Sequence, residues 1–251
     1  MSSFTFTAHG SLLVASFHRP EARNAINFEA MDGLELLTER AADYSVVLFT
    51  CPDKYFVCGG DLREFHAIHT ADEARKMARR MTALFSRWED SKTLFIAAIN
   101  GDAYGGGCEL ALAMDLRVIA SHAQMGFTQG RFALPPGWGG LTRLVEKVGP
   151  SKALLWQSAQ SRVSASQALH AGLVDEIFPT ASFAEDAQKL AKKISTTPRE
   201  LLHTLKSGIT RASEDKRSAS LDSELQLFCE HWISADHQAA VEAFLNRSRR
   251  S

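Results

Sequence analysis

The sequence predicts an α/β fold in which strand–turn–helix units repeat along the chain and a purely helical region follows them. Three observations support this prediction. Short, fully apolar runs of the kind found in buried strands each precede a turn and then a helical stretch. These units recur at roughly 40–50 residues, a period that indicates stacked turns of a β-superhelix. After Pro179 the composition becomes polar and helical, so we expect a core over residues 1–195 and a helical region over residues 196–251.

The first part of the chain is predicted to alternate strands with amphipathic helices. Gly10 marks the turn of an N-terminal antiparallel hairpin. The apolar stripe of the longest helix is interpreted as core and not as a binding site; it consists of Met77, Met81, Leu84, Phe85 and Trp88. In chain order, the predicted elements are strands over 4–7 and Leu12–Phe17, a helix over 27–42, the strand Val46–Thr50, a helix over 71–89, the strand Leu94–Ile99, a helix over 107–114 and the strand Leu116–Ala120.

The C-terminal part is predicted to contain only helices, over residues 182–195, 199–210, 220–231 and 236–248. Pro198 immediately precedes the second of them, in the first-turn region where proline is tolerated. Each helix carries an apolar side, and that side needs another surface to cover it. We therefore expect this region to pack on the core, on another subunit, or on both.

Composition excludes several classes of protein. The chain has 251 residues, 45% of them hydrophobic and 23% charged, and a formal net charge of −1. This balance gives no reason to expect nucleic acid or a membrane as a partner, and no apolar run approaches the roughly 20 residues of a membrane span. No signal peptide is visible. Four cysteines match no zinc or redox spacing, which predicts reduced thiols in a cytoplasmic protein.

Two glycine-rich turns follow apolar strands and carry the strongest functional signal. The first glycine turn (residues 56–61, FVCGGD) follows the strand Val46–Thr50, and the second (residues 100–107, NGDAYGGG) follows Leu94–Ile99. Glycine allows backbone N–H groups to approach a ligand closely, and two converging turns would offer donors to a developing oxyanion. Glu109, just inside the next helix, would then be an acid or base at that carbonyl. The alternative is two plain turns and a surface carboxylate of the kind favoured in a first helical turn.

Several long strings occur in a fixed order along the chain. They are residues 18–26 (HRPEARNAI), both glycine turns, residues 164–175 (SASQALHAGLVD) and residues 243–247 (AFLNR). Through them nearly the whole chain resembles the enoyl-CoA hydratase/isomerase superfamily, which has the crotonase fold. The resemblance implies a crotonase-type spiral of ββα units, an acyl-CoA substrate, and a homotrimer or dimer of trimers formed through the C-terminal helices. It implies no cofactor beyond the coenzyme A that the substrate carries.

The same resemblance assigns catalytic positions. Gly60 and Gly106 would supply the two oxyanion N–H groups, and such preorganised donors are worth about 3–4 kcal/mol each in comparable sites. Glu109 matches the first of the two glutamates that hydratases of the family use. Gln129 stands at the position of the second, and glutamine orients water but cannot exchange a proton near neutral pH. This departure predicts slow hydration of crotonyl-CoA.

A single acid suits decarboxylation. Residues 136–146 (PGWGGLTRLVE) resemble the ethylmalonyl-CoA decarboxylase version of the family, in which a tryptophan also interrupts the small residues. Carbon dioxide leaves without a base, and Glu109 would then protonate the enolate. Gln129 and Arg131 are candidates to contact the departing carboxylate. Trp138 itself is interpreted as packing.

Further positions match those that hold coenzyme A in the family. A guanidinium suits phosphate, and Arg63 is a possible phosphate partner. Asp61 is also expected to cap the helix after the first glycine turn. No metal site is predicted, because His66 and His69 lack a third ligand at a plausible spacing. The matched positions are Arg23, Ala25, Cys58, Asp61, Leu62, Arg63, Phe244 and Arg247.

Three functions follow from these residues. The residues themselves favour decarboxylation of a short alkylmalonyl-CoA thioester with Glu109 as the single acid. The family as a whole favours a 2-enoyl-CoA hydratase or an enoyl-CoA isomerase of fatty-acid or branched-chain acid metabolism. A non-catalytic CoA-binding scaffold is the third possibility, and the intact Gly60, Gly106 and Glu109 argue against it.

Overall fold

A computed structural model describes residues 3–52, 54–211 and 217–248 and confirms the predicted α/β class. Strands β2, β3, β4 and β6 have the predicted bounds. The strands are β1 (Phe4–His9), β2 (Leu12–Phe17), β3 (Val46–Thr50), β4 (Leu94–Ile99), β5 (Ala103–Tyr104), β6 (Leu116–Ala120), β7 (Gln124–Gly126), β8 (Arg162–Ser164) and β9 (Glu176–Phe178). The helices are α1 (Phe28–Ala41), α2 (Leu62–Phe65), α3 (Ala71–Asp90), α4 (Gly106–Leu112), α5 (Gly140–Val148), α6 (Pro150–Ser158), α7 (Ala165–His170), α8 (Phe183–Ser195), α9 (Arg199–Arg211), α10 (Arg217–Trp232) and α11 (Ala235–Ser248), with 3-10 turns at Pro20–Ala22 and Gln129–Phe132.

The strands form two sheets, with the orders β1-β2-β3-β4-β6-β9 and β5-β7-β8. The predicted hairpin of β1 and β2 is antiparallel, and each later neighbour in the larger sheet is parallel. Strands β3 and β4 are buried almost throughout, which explains their unbroken apolar runs. Each parallel step needs a crossover connection, and these crossovers produce the repeat seen in the sequence.

Parallel pairing of β3 with β4 brings the two glycine turns together, because both turns leave the same edge of the sheet. The Tyr104 amide donates to the Val57 carbonyl at 2.9 Å. Gly107 allows this approach, since a Cβ there would lie 1.9 Å from the Val57 oxygen. The second turn then enters α4 directly, which carries Glu109 beside the first turn.

Helix α3 closes one side of the core. It begins with a capping box in which Thr70 and Glu73 bond each other's backbone amides. At its other end the buried Trp88 donates its ring N–H to the Thr38 hydroxyl at 2.7 Å. The predicted apolar stripe is buried along its whole length, and Met77, at its start, also lines a cavity.

The C-terminal helices pack on the core of the same chain. Helix α8 lies against the larger sheet, α10 packs on α3 and α5, and α11 packs on the 3-10 turn Gln129–Phe132. Part of the region over 196–251 therefore completes the core itself. The boundary at residue 195 stays a prediction.

Helices α6 and α9 each expose more than one large apolar side chain. On α9 they recur every fourth residue and form one stripe. In the described part of the chain, no helix has both the length and the apolar character of a membrane span. The cytoplasmic location stays a prediction. The exposed residues are Leu154 and Leu155 on α6 and Leu201, Leu205 and Ile209 on α9.

Candidate active site

The glycine turns, α4, the segment that precedes α5, and α10 line an inner cavity of about 110 Å³. An outer cleft of about 730 Å³ adjoins it. The inner cavity is mostly apolar, and Glu109 is the carboxylate in its lining. This combination of an apolar chamber, a few polar groups and an adjoining open cleft is typical of a ligand site. The residues that line both spaces are Cys58, Gly60, Leu62, Tyr104, Thr128 and Phe132.

Gly60 and Gly106 lie over the same indole ring. A Cβ at Gly60 would be 3.5 Å from the Trp138 ring, and a Cβ at Gly106 would be 2.3 Å from it. A Cβ at Gly59, in the first turn, would lie 3.6 Å from the Gly106 nitrogen. Within the described residues, neither the Gly60 nor the Gly106 N–H donates to an acceptor. Both glycines line the inner cavity, and both amides are without an acceptor in that part of the chain.

Glu109 is buried, with 4% of its surface exposed, and backbone amides hold its carboxylate. It accepts from the Trp138 amide at 2.7 Å and from the Gly140 amide at 2.9 Å. Gly140 makes this possible, because a Cβ there would lie 2.4 Å from the Glu109 Cγ. The carboxylate is thus fixed against the start of α5, and it is not the exposed first-turn carboxylate of the alternative interpretation.

Burial, and after it the nearby charge of Glu224, raise the pKa of Glu109 to about 7. The hydrogen bonds from Trp138, Gln129 and Gly140 act in the opposite direction, because they stabilise the ionised form. A carboxyl with a pKa near the operating pH both accepts and returns a proton readily. Perturbed carboxyls in a cavity are candidates for acid–base catalysis.

Gln129 lies on the 3-10 turn Gln129–Phe132 and lines the inner cavity. Its amide nitrogen donates to the Glu109 carboxylate at 3.2 Å. Its side-chain oxygen is buried and has no hydrogen-bond partner among the described residues. An unpaired buried acceptor is costly.

Aromatic side chains form the apolar wall of the inner cavity. The Trp138 ring N–H donates to the Met77 sulfur at 3.4 Å, and the Trp232 ring N–H donates to the Ile68 carbonyl at 3.1 Å. Trp138 does pack, as expected, but its backbone also holds Glu109, which its residue type alone could not indicate. Met77, expected only in the core, belongs to this wall as well. The wall residues are Phe65, Met77, Trp138, Phe228 and Trp232.

The predicted CoA-binding positions lie together in the outer cleft. Seven of the eight line it: Arg23, Ala25, Cys58, Asp61, Leu62, Arg63 and Phe244. The eighth, Arg247, has its backbone in α11, and its side chain lies outside the described residues. Burial raises the pKa of the Cys58 thiol to about 12, so this side chain is a neutral part of the wall.

Three arginines that the sequence analysis did not assign to CoA also line the cleft: Arg19, Arg131 and Arg162. Arg131 lines the outer cleft and not the inner cavity, and its contact with a departing carboxylate stays a prediction. The guanidinium of Arg162 lies over the Tyr104 ring, 5.3 Å from its centre. A cleft with several guanidinium groups suits an anionic ligand such as a phosphate.

Asp61 has a structural role in this cleft. It caps α2 by accepting from the Arg63 amide at 3.0 Å, as expected, and it pairs with the Arg19 guanidinium at 2.7 Å. Arg19 also donates to the Ala25 carbonyl at 2.9 Å. Asn24, buried and in the left-handed region at φ 56°, donates to the Tyr55 carbonyl at 2.9 Å. These contacts fix the segment that carries the predicted CoA positions.

Comparison with known proteins agrees with this architecture. The sequence profile of the enoyl-CoA hydratase/isomerase family matches residues 7–250. The chain is 32% identical to the 2,3-dehydroadipyl-CoA hydratase of Escherichia coli over 98% of this chain and 97% of that protein. It is 29% identical to the short-chain-enoyl-CoA hydratase of Clostridium acetobutylicum over 96% and 93% of the two chains.

A crystal structure of an enoyl-CoA hydratase/isomerase from Mycobacterium paratuberculosis superposes with a TM-score of 0.89. That likeness covers 97% of this chain and 98% of the other at 24% identity, and so it shows the crotonase fold alone. The named relatives are hydratases, so the resemblance to decarboxylases rests only on the sequence strings described above. Since the profile and the relatives span nearly the whole chain, the chain belongs to the enoyl-CoA hydratase/isomerase family.

Proposed function

We propose that this protein adds water to a short 2-enoyl-CoA thioester through an enolate, with Glu109 as the group that moves the proton. One observation carries the proposal: a buried carboxyl with a pKa of about 7 shares a cavity with two free glycine amides. The hydratase names of the relatives support addition of water over the decarboxylation that the sequence favoured.

In the proposed reaction, the thioester oxygen accepts hydrogen bonds from the Gly60 and Gly106 amides. Ionised Glu109, held by the amide group of Gln129, takes a proton from a water in the inner cavity as the oxygen of that water bonds to the β-carbon. The electrons of the double bond move to the α-carbon and the carbonyl oxygen, where the two amides stabilise the enolate. Glu109 then returns the proton to the α-carbon. One water has been added, and the carboxyl ends in its starting state.

The size of the inner cavity supports a short acyl chain. Its volume is about 110 Å³, against about 730 Å³ for the outer cleft. The outer cleft, with its guanidinium groups, would hold the CoA phosphates. This chemistry uses no cofactor besides the coenzyme A of the substrate.

Decarboxylation of an alkylmalonyl-CoA is the second candidate, and Gln129 favours it. A glutamine cannot act as the second acid or base of a two-carboxylate hydratase. In decarboxylation the bond from the α-carbon to the carboxylate breaks, carbon dioxide leaves, and the electron pair forms the enolate. Protonated Glu109 then gives its proton to the α-carbon. This reaction begins with Glu109 protonated, whereas hydration begins with it ionised.

The pH dependence therefore separates the two candidates. If hydration is the activity, kcat/KM should rise as the pH increases through about 7, because the base form of Glu109 appears. For decarboxylation, kcat/KM should fall over the same range, because the acid form disappears. We would screen crotonyl-, 3-enoyl-, methylmalonyl- and ethylmalonyl-CoA by mass spectrometry and measure the pH profile of the best substrate. Turnover of none of them would contradict an enzymatic role of this kind and favour the scaffold.

We further propose a homotrimer or a dimer of trimers. The exposed leucines of α6 and the exposed stripe on α9 support it, because apolar stripes of this kind are normally covered by another surface. Light scattering at micromolar concentration should give three or six times the chain mass of 27.6 kDa. A stable monomer at that concentration would contradict the assembly.

A further inference from the structure

Two carboxylates accept hydrogen bonds from different backbone amides at the start of helix α5. Glu109 accepts from the amides of Trp138 and Gly140, at 2.7 and 2.9 Å. Glu224 accepts from the amides of Leu141 and Thr142, both at 3.0 Å. The Thr142 hydroxyl adds a third hydrogen bond to Glu224 at 3.2 Å. The first turn of one helix thus fixes both acids.

Glu224 reaches this turn from α10, on the same face as two residues of the active-site wall. Phe228 and Trp232 follow it at intervals of four residues, and both line the inner cavity. Glu224 is buried, with 3% of its surface exposed, and it is outside the lining of that cavity. Any effect of Glu224 on the reaction must therefore pass through another residue.

The other charged groups around this turn come from three helices. Arg143, on α5, donates to the Trp138 carbonyl at 2.9 Å and pairs with Glu89 of α3 at 2.7 Å. Glu109, on α4, is the remaining carboxylate. Arg143 is thus committed to Glu89 and to the backbone of the turn, and it forms no hydrogen bond to Glu109 or Glu224 among the contacts described.

We propose that Glu224 is a positioning residue for Glu109. It occupies the Leu141 and Thr142 amides, so that Glu109 keeps the amides of Trp138 and Gly140 and a longer bond from Gly137 at 3.4 Å, and it places a like charge behind Glu109. The like charge favours the protonated form of Glu109, so that this carboxyl keeps a proton to give to the α-carbon of the substrate. This inference rests on the proposed acid–base role of Glu109. It identifies helix α10 as part of the catalytic apparatus of the same chain.

Removal of the Glu224 charge should stabilise ionised Glu109. The Trp138 and Gly140 amides would remain on Glu109, while the nearby negative charge that opposes its ionisation would be gone. The pKa of Glu109 should therefore fall from about 7 towards the ordinary range of a glutamate. Less of Glu109 would be protonated at neutral pH. The midpoint of the pH–rate profile should therefore move to lower pH by as much as the pKa of Glu109 falls.

The test is a carbon-13 NMR titration of the full chain labelled at the glutamate carboxyl carbon. The Glu109 resonance is identified by its disappearance in Glu109→Gln. Glu224→Gln should lower the Glu109 midpoint. Glu230→Gln removes the same charge from an exposed position on α10 and should leave the midpoint unchanged. Thr142→Val, which disturbs the same turn without removing a charge, should not reproduce the shift of Glu224→Gln.

An unchanged Glu109 midpoint in folded Glu224→Gln would overturn the inference, whatever happens to turnover. If the NMR midpoint falls and the pH–rate midpoint stays, the coupling stands and the proposed role of Glu109 in turnover is wrong. If Glu224→Gln fails to fold, the titration of the unmodified protein tests the inference instead. Burial raises the pKa of both carboxyls, so they should titrate together and broaden the Glu109 curve. A curve for one isolated proton would then overturn the inference.

Discussion

Replacement of Glu109 by glutamine should lower kcat by on the order of a hundredfold or more, because both candidate reactions move a proton through this carboxyl. Glutamine keeps an oxygen that can accept from the Trp138 and Gly140 amides, so the turn should keep its shape. Affinity for coenzyme A should change little, because the predicted CoA positions lie in the outer cleft. Steady-state kinetics and calorimetry with coenzyme A measure the two effects separately.

Glu29→Gln is the matched control for this experiment. Glu29 also lies in the first turn of a helix, α1, but it is exposed. The control should retain full activity. If Glu109→Gln also kept full activity on the best substrate, Glu109 would not be the acid or base. An equal loss in both variants would point to a general effect of removing a helix-terminal charge.

The core strands were predictable because their burial leaves a direct trace in the sequence. Strands β3 and β4 are parallel and covered, so they appear as apolar runs with clear ends, and β6 differs only by the buried Arg117. The glycine turns were predictable for a related reason. Only a glycine tolerates the approach of the Val57 carbonyl at Gly107, and the strand–glycine–helix order is visible along the chain.

The packing of α10 against the active site was not predictable from the sequence in this way. The spacing of α10 indicates a helix with one apolar face, but it does not identify the surface that the face covers. Glu224 interrupts that face beside Leu225 and ahead of Phe228 and Trp232. An acidic residue within an apolar stripe is a usable signal, because it must find buried donors. The donors here are the amides of α5, more than 80 residues earlier in the chain, and only the fold brings them to it.

Gln129→Glu should move the two candidate activities in opposite directions. The Gln129 amide nitrogen lies 3.2 Å from the Glu109 carboxylate, so a glutamate there would form a close carboxylate pair. Two such groups cannot both ionise easily, and one of them keeps its proton near neutral pH. One member can then activate water while the other protonates the α-carbon. Hydration of crotonyl-CoA should therefore become faster than in the unmodified protein, where one carboxyl performs both steps.

Decarboxylation should become slower in the same variant, because the added carboxylate repels the carboxylate of the substrate in a partly desolvated cavity. Initial rates with crotonyl-CoA and ethylmalonyl-CoA measure the two effects. Gln157→Glu, on α6 and outside the lining of the inner cavity, adds the same charge and should change neither rate. Slower hydration in Gln129→Glu would mean that the hydrogen bond from the Gln129 amide group supports Glu109 better than a second carboxylate does. Hydration with Glu109 as the single carboxyl would then be the reaction that this site performs best, and Gln129 would contribute to it.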